Sequence, residues 1–468
     1  MQSNKPVARL ISKLPTLYNC LLALMFLLLI LKAVGKICDA FDCLVYHLPF
    51  ALMHYDLTTF TPLSTMVDIY GSFPPLAHYV QGLLISVTDY IPSANLIGIL
   101  AFGIVLISMS RLFEKFNILV FVSLTLSVPL IVIHLSSGYN DLFTASWVFL
   151  NFVSLIAYLS DRKKNQNPSP ALTAFILSLT AGMLSKYQAW PFLTINCIIL
   201  GLFLLFDGRW QKKQRFVFIL VMMGAYIFWP GRNLIKYDNP THPLRPPLIG
   251  HIFGINGAST TNILFQQPKY LQGESTARKF IESALELNRW QTATSLPYSI
   301  DQGVSDGIES PHFRMGGWSI FTVALLLLGV VQASLKDRSS RIAAGLLTVY
   351  VSLLLMIPQS HELRYWLFVP MIMAFIVSSS PIANIPLVRL LVVGNFAWHS
   401  GQLYQFYKPE FKPLQASYPN EAISYAESRK SHPNYDPKTE ECIKNQLPYT
   451  IFWSGKNFNE LVVKDCTF

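Results

Sequence analysis

Five sets of polar residues interrupt an otherwise apolar chain, and their types suit acid–base and phosphate chemistry. The first is Cys38-Asp39-Ala40-Phe41-Asp42-Cys43-Leu44-Val45-Tyr46-His47-Leu48-Pro49, directly beyond the first long apolar stretch. Charge is costly near hydrocarbon, so carboxylates at the mouth of a membrane helix are a functional-site hypothesis by default. If the segment after Phe41 is helical, Asp42 and Tyr46 fall one turn apart on one face, where Asp42 could serve as a general base. The competing use of Asp42 is to N-cap a short helix that Pro49 bends. The second set, Gly138-Tyr139-Asn140-Asp141, is a short turn in which Asp141 either caps the next helix or shares a cleft with Asp42. In the third, Leu184-Ser185-Lys186-Tyr187, the ammonium of Lys186 can snorkel to the interface or hold a lipid phosphate.

The fourth set runs from Trp229-Pro230-Gly231-Arg232-Asn233 through the Pro-dense segment Tyr237 to Pro247. Proline fixes an extended connector there, and Arg232 and Arg245 could read phosphate bidentately or stand exposed. The fifth, His361-Glu362-Leu363-Arg364-Tyr365-Trp366, puts a guanidinium at the edge of an apolar run, where it needs an anion, water or a pairing with Glu362. A further stretch, Tyr70 to Ile85, mixes His78, Tyr79 and Gln81 with apolar residues, as a helix half-immersed in an interface does.

The elements that must position these groups are membrane helices. Of 468 residues, 52% are hydrophobic and 13% charged, about half the usual charge of a soluble domain. The net charge of +10 is scattered in short Lys/Arg clusters between apolar runs, which argues for topology signals and against nucleic acid as a partner. Apolar runs of bilayer-crossing length fall at 16–35, 96–112, 117–135, 142–159, 170–188, 190–206, 215–231, 316–335, 341–358, 364–380 and 385–402. That gives an all-α polytopic protein of about eleven transmembrane helices, with a retained first span rather than a cleaved signal peptide. Basic connections at 111–116, 161–167, 208–215 and 336–341 then lie on the side of the N-terminus, which the positive-inside rule makes cytoplasmic. Residues 74–90 must lie along the outer interface, because a crossing there would flip every later basic loop. The outward parts are 36–95, with juxtamembrane helices, 232–315, and a C-terminal cap at 403–468 beyond a membrane domain at 1–402.

Cys38, Cys43, Cys442 and Cys466 fall in outward segments, so disulfides are permitted there, with Cys442–Cys466 one pairing and free thiols the alternative. No motif with metal-ligand spacing is present.

In order and sidedness these residues resemble the membrane-embedded GT-C glycosyltransferases, in particular bacterial relatives of protein O-mannosyltransferases and aminoarabinose transferases (glycosyltransferase family 39). Similar elements are the acid four residues before a Tyr (Asp42, Tyr46), Pro74-Pro75-Leu76, the second acid Asp141, Ser185-Lys186, Arg232-Asn233 with Asn239-Pro240-Thr241-His242-Pro243, and Arg364-Tyr365, within roughly residues 10–400. The resemblance implies a GT-C fold and a polyprenyl-phosphate-linked sugar donor. It implies inverting transfer to a lipid, glycan or protein acceptor on the periplasmic side of a bacterial inner membrane, with the N-terminus cytoplasmic and the C-terminus periplasmic. Asp42 would be general base and Asp141 a second catalytic acid. Lys186, Arg232 and Arg364 would hold the departing phosphate, with Asp39, Tyr46, His47, His361 and Tyr365 in support. A divalent metal at Asp42 and Asp141 is used by some members and not others. Phe73 stands where the aminoarabinose type has a lysine before Pro-Pro-Leu. The alternatives from other classes are a transporter or flippase of an amphiphilic phosphate compound, and a non-catalytic accessory subunit of the same fold. Against the transporter, ionisable residues gather at one face, without broken-helix pairs or inverted repeats.

Overall fold

A chain this apolar must satisfy its backbone hydrogen bonds internally, and it does so as helices. The computed structural model describes residues 5–35, 38, 43–57, 71–114, 116–163, 169–206, 212–242, 244–245, 258–259, 273–285, 318–357 and 359–407. In order the helices are α1 (Lys5–Gly35), α2 (Leu48–Met53), α3 (Leu76–Thr88), α4 (Ile97–Leu112), α5 (Ile118–Leu126), α6 (Pro129–Leu135), α7 (Asp141–Lys163), α8 (Ser169–Met183), α9 (Trp190–Phe206), α10 (Lys212–Tyr237), α11 (Thr276–Leu285), α12 (Ile320–Lys336), α13 (Arg338–Leu354), α14 (Phe368–Ser379) and α15 (Pro386–Tyr407). A π-turn at Cys43–His47 and 3-10 turns at Ile91–Leu96, Tyr187–Ala189, Leu363–Trp366 and Pro381–Asn384 connect them. The extended pairing among the described residues is a two-residue parallel bridge, β1 (Leu244–Arg245) with β2 (Ala258–Ser259).

Each apolar stretch read from the sequence contains a helix, but they are not equivalent. Four segments, Ile91–Leu112, Asp141–Ser160, Tyr187–Leu204 and Phe218–Tyr237, are long and apolar enough to cross a bilayer. Five others, among them Asn19–Gly35 and Ile320–Lys336, are apolar but only 10–17 residues long. The molecule is a multi-pass helical membrane protein. Leu24, Leu31, Phe228, Ile235, Leu328, Leu335, Leu390 and Trp398 stand exposed on its outer helices, as lipid-facing side chains do.

The expectation that no helix pair is broken is corrected. The stretch 117–135, read as one span, is broken into α5 and α6, bent by 95°, and together they add at most one crossing. The cause is local: Val128 precedes Pro129, which drives Val128 out of the helical region to φ −91, ψ 108. The Ser127 carbonyl, next to the break, is taken by the Thr322 hydroxyl of α12 at 3.0 Å. Because α6 turns away sharply from α5, the segment Ser136–Asn140 that follows α6 is brought in over the centre of the bundle.

That centre is α7 and α14. Every residue from Phe368 to Ser378 is buried, and so is most of α7, the mark of helices enclosed on all sides. α14 runs against α5, with the Asn117 amide bonded to the Ser378 carbonyl at 3.1 Å. Within α7, α8 and α9, Asn151 bonds the Phe175 carbonyl at 3.0 Å and Asn196 bonds Asn151 at 2.8 Å, a polar ladder of the kind that glues membrane helices.

α3 has 13 residues, about 20 Å of helix, short of the roughly 30 Å hydrocarbon core. It packs through Ala77 on Ile97, Ala101 and Phe143, at the first turns of α4 and α7. Gly98 lets α4 touch the chain ahead of the site, because a Cβ there would run into the His134 carbonyl. Gly98→Ala should therefore cost about 1–3 kcal/mol by overpacking, measured as denaturant unfolding in detergent. An unchanged midpoint would mean that α4 and α6 are not in this contact.

Candidate functional site

Five chain segments end at one place. The turn Ser136–Asn140 delivers Asp141 at the start of α7, the end of α8 delivers Lys186, the 3-10 turn before α14 delivers Arg364 and Tyr365, the π-turn delivers Tyr46 and His47, and α3 delivers His78. They are tied by backbone and amide contacts. The Leu76 amide donates to the Leu184 carbonyl at 2.9 Å, which sets the Pro74-Pro75-Leu76 element against the Lys186 turn. Gln81 of α3 donates to the Gly138 carbonyl at 2.7 Å. Asn95 and Tyr90 donate to the Ala33 and Val34 carbonyls, at 2.9 and 2.6 Å, and so close the otherwise unsatisfied C-terminus of α1.

The geometry centres on Asp141. Its Oδ1 lies 2.5 Å from Lys186 Nζ, and its Oδ2 faces His134 Nε2 at 3.6 Å. The Asp141 and His134 side chains are fully buried, whereas Lys186 is 17% exposed. Lys186 also donates to Asn140 Oδ1 at 3.2 Å and sits 4.7 Å from the Tyr365 ring centroid. Two of its three donors are thus used by described residues. The Arg364 guanidinium lies 5.3 and 5.0 Å from the centroids of Tyr139 and Tyr365 and donates to the Tyr365 hydroxyl at 3.1 Å. Its Nε is 3.9 Å from Glu362, beyond hydrogen-bond length, and His361 is 3.6 Å from the other Glu362 oxygen. The expected pairing of Arg364 with Glu362 is therefore loose, and Tyr139 and Tyr365 present their faces to the cation.

Next to this centre, His47 Nδ1 and His78 Nε2 share a hydrogen bond of 2.9 Å. The His47 ring lies 4.2 Å from that of Tyr46 and 6.1 Å from that of Tyr139. Burial, then the neighbouring imidazole and cations, pushes both imidazoles below their ordinary range, His78 to about 3. An unfolded imidazole titrates near 6.5, so the unfolded chain takes up the extra protons as pH falls. Stability should be full above pH 6.5 and decline from there towards pH 3. A melting temperature in detergent that stays flat between pH 7 and 4.5 would contradict a buried neutral pair.

The fourth residue set forms an adjoining wall. The Ser72 carbonyl accepts from Tyr187 Oη at 2.7 Å, Trp229 Nε1 at 2.8 Å and Asn233 Nδ2 at 2.8 Å. Arg232 donates to Asn233 Oδ1 at 2.6 Å and stacks on Trp229, 4.6 Å from its centroid. Phe73 meets Tyr187 edge-on at 5.9 Å, so a packed ring occupies the position where the resembled family has a lysine. Arg245 lies in β1, and its side chain is outside the description.

Asp39 and Asp42 lie outside the described residues, as do the Cys442 and Cys466 of the expected pairing and the tail from 408. The residues flanking the two acids are described, and they form a disulfide, Cys38–Cys43, that the sequence reading did not single out. It lies against the site: a Cβ on Gly138 would stand 3.2 Å from Cys38 Cβ and 3.2 Å from Cys43 Sγ. His134, Tyr139 and the His47–His78 pairing were also missed. The disulfide had a signal in the Cys-x4-Cys spacing around two acids, whereas a pair 31 residues apart has none.

Asp141 spends Oδ1 on Lys186, so the acid and the ammonium hold one another in place. The same ammonium repels a divalent ion from that oxygen, and among the described residues no three His, Cys, Asp or Glu side chains gather as a metal site. Asp42, the other half of the expected metal site, lies outside the described residues. Comparison of the chain with protein-family models, with curated proteins and with solved structures finds no match in any of the three.

Proposed function

We propose that this protein is a GT-C-type glycosyltransferase that moves a sugar from a polyprenyl-phosphate carrier to an acceptor on the outer face of a bacterial inner membrane. One observation carries the reading. Lys186, Arg364 and their aromatic and acidic partners meet at the mouths of α7, α8 and α14, directly behind the disulfide that brackets Asp39 and Asp42. In this proposal the eleven apolar stretches make a membrane domain with a cytoplasmic N-terminus and a periplasmic C-terminus, and the cystine belongs to the oxidising side.

Asp42 takes the proton of the acceptor hydroxyl, and the acceptor oxygen forms its bond to the anomeric carbon. The bond from that carbon to the lipid phosphate breaks from the opposite face, its electron pair leaving on the phosphate oxygen, with inversion. Lys186 and Arg364 meet that developing charge, Arg232 lines the approach, and Asp141 keeps Lys186 in place.

The test is incubation of purified protein with a panel of polyprenyl-phosphate sugars, with products read by mass spectrometry. Asp42→Asn should abolish transfer while elution and melting stay as in the wild type. Wild-type turnover by that variant would reject the base assignment. Phosphate-lipid translocation in proteoliposomes with no glycoside formed from any donor would replace the enzyme by a carrier.

A further inference from the structure

We infer that His47 is a third contact for the phosphate, donating its Nε2–H to a phosphate oxygen, and that His78 is the positioning residue that fixes the tautomer this needs. The inference rests on the phosphate-bearing donor proposed above and assigns a role to a pair that neither the base nor the cation assignments use.

His47 is wholly buried, and one ring nitrogen, Nδ1, is bonded to His78 Nε2 at 2.9 Å. The other nitrogen, Nε2, is hidden from solvent and has no hydrogen-bond partner among the described residues. A buried imidazole nitrogen left without a partner is costly, and a ligand group that bonds it removes that cost. The neighbourhood says which ligand. Tyr139, whose ring is 6.1 Å from that of His47, carries Arg364 on its face. Among the described residues, the charged and titratable groups facing the pair are Lys186, Arg364 and Asp141 around His47, and His54 with Lys186 around His78. Of these described groups Lys186 and Arg364 are cations, and the one carboxylate, Asp141, is already bound to Lys186.

The pair has two neutral arrangements. If His47 donates to His78, a lone pair is left at His47 Nε2, which repels an anion. If His78 Nε2–H donates to His47 Nδ1, the proton of His47 is at Nε2, ready for a phosphate oxygen. Both rings stay neutral at working pH because they are desolvated beside other positive groups. The donor is thus a neutral N–H, which adds a hydrogen bond without a further buried charge.

The experiment uses the full-length protein in nanodiscs and measures binding of farnesyl phosphate, with inorganic phosphate and farnesol as parallel probes. His47→Phe should bind farnesyl phosphate about tenfold more weakly or worse, the scale of one hydrogen bond to a charged group. His47→Gln, whose amide can donate from a similar position, should stay within about threefold of wild type. His78→Phe should match His47→Phe, whereas His78→Gln, which can still donate to Nδ1, should bind nearly as wild type. The Gln variants keep the test valid should a Phe variant elute as aggregate. Unchanged affinity in His47→Phe, or equal affinity of His78→Phe and His78→Gln, overturns the inference while leaving the donor reading intact. Inorganic phosphate bound in a His47-dependent way, with farnesyl phosphate excluded, upholds the contact and rejects the lipid donor. Wild-type protein that binds neither phosphate overturns both.

Discussion

Lys186→Met should be the most damaging single substitution at the site, costing about 3–5 kcal/mol in denaturant unfolding and removing donor-dependent turnover. The reason is asymmetry in solvation. The substitution leaves the fully buried Asp141 carboxylate without its partner at 2.5 Å, and an uncompensated buried charge is what makes broken pairs expensive. Asp141→Asn is the milder change for folding, because the 17% exposed Lys186 can still reach water. Its effect is on function: an ammonium freed from its carboxylate shifts, and a displacement on the order of 1 Å lowers turnover about a hundredfold. The double variant Lys186→Met/Asp141→Leu removes both charges and should recover most of the lost stability without recovering transfer. Equal unfolding costs for the two single variants would show that the pair is hydrated and that the buried geometry is wrong.

Breaking the cystine should separate folding from activity in the opposite sense. Cys38→Ser/Cys43→Ser opens a loop of six residues, worth about 2 kcal/mol by chain entropy, which a protein with extensive helix packing can tolerate. The loop holds Asp39 and Asp42 between the two sulfurs, and the sulfurs lie against the Gly138 turn. Loss of the link should therefore cost most of the turnover while the protein still elutes as one species, and a membrane-permeant or soluble thiol reductant should reproduce the loss in the wild type. Full transfer after reduction, with free thiols verified by mass spectrometry, would mean that the acids do not depend on the cystine for their placing. Gly138→Ala provides a check without touching sulfur, since the added methyl would press on Asn95 Oδ1 at 3.0 Å and on the cystine.

Hydrophobicity alone located the helices, because a run of apolar residues in a membrane has one way to satisfy its backbone. α7, α9 and α10 each overlap a stretch read from sequence, and α3, within 74–90, is a helix of 13 residues, short of a crossing. Length was less legible than type. The break at Val128 is written in the sequence as a residue before proline, but in an apolar run of 19 residues the hydrophobic signal outweighs it. For the site, single residues at helix mouths were readable, since a polar group at the end of an apolar run has few bland uses. Lys186, Asp141, Arg364 and Tyr365 do come together. What could not be read is which of them neutralise one another: nothing local in Gly138-Tyr139-Asn140-Asp141 reveals a lysine 45 residues away. The pairing of His47 with His78 was hidden for the same reason, while the short cystine was visible in spacing and passed over in favour of one in the tail.

The joint at residue 72 has a genetic consequence. Three donors from two different helical segments converge there on a main-chain oxygen, and every amino acid supplies the same oxygen. Sequence drift at position 72 therefore keeps the acceptor itself, and what it removes is the buried side chain's own bond from Oγ to the His242 carbonyl at 2.8 Å. The sensitivity should surface instead at Tyr187, Trp229 and Asn233, whose codons hold the donors.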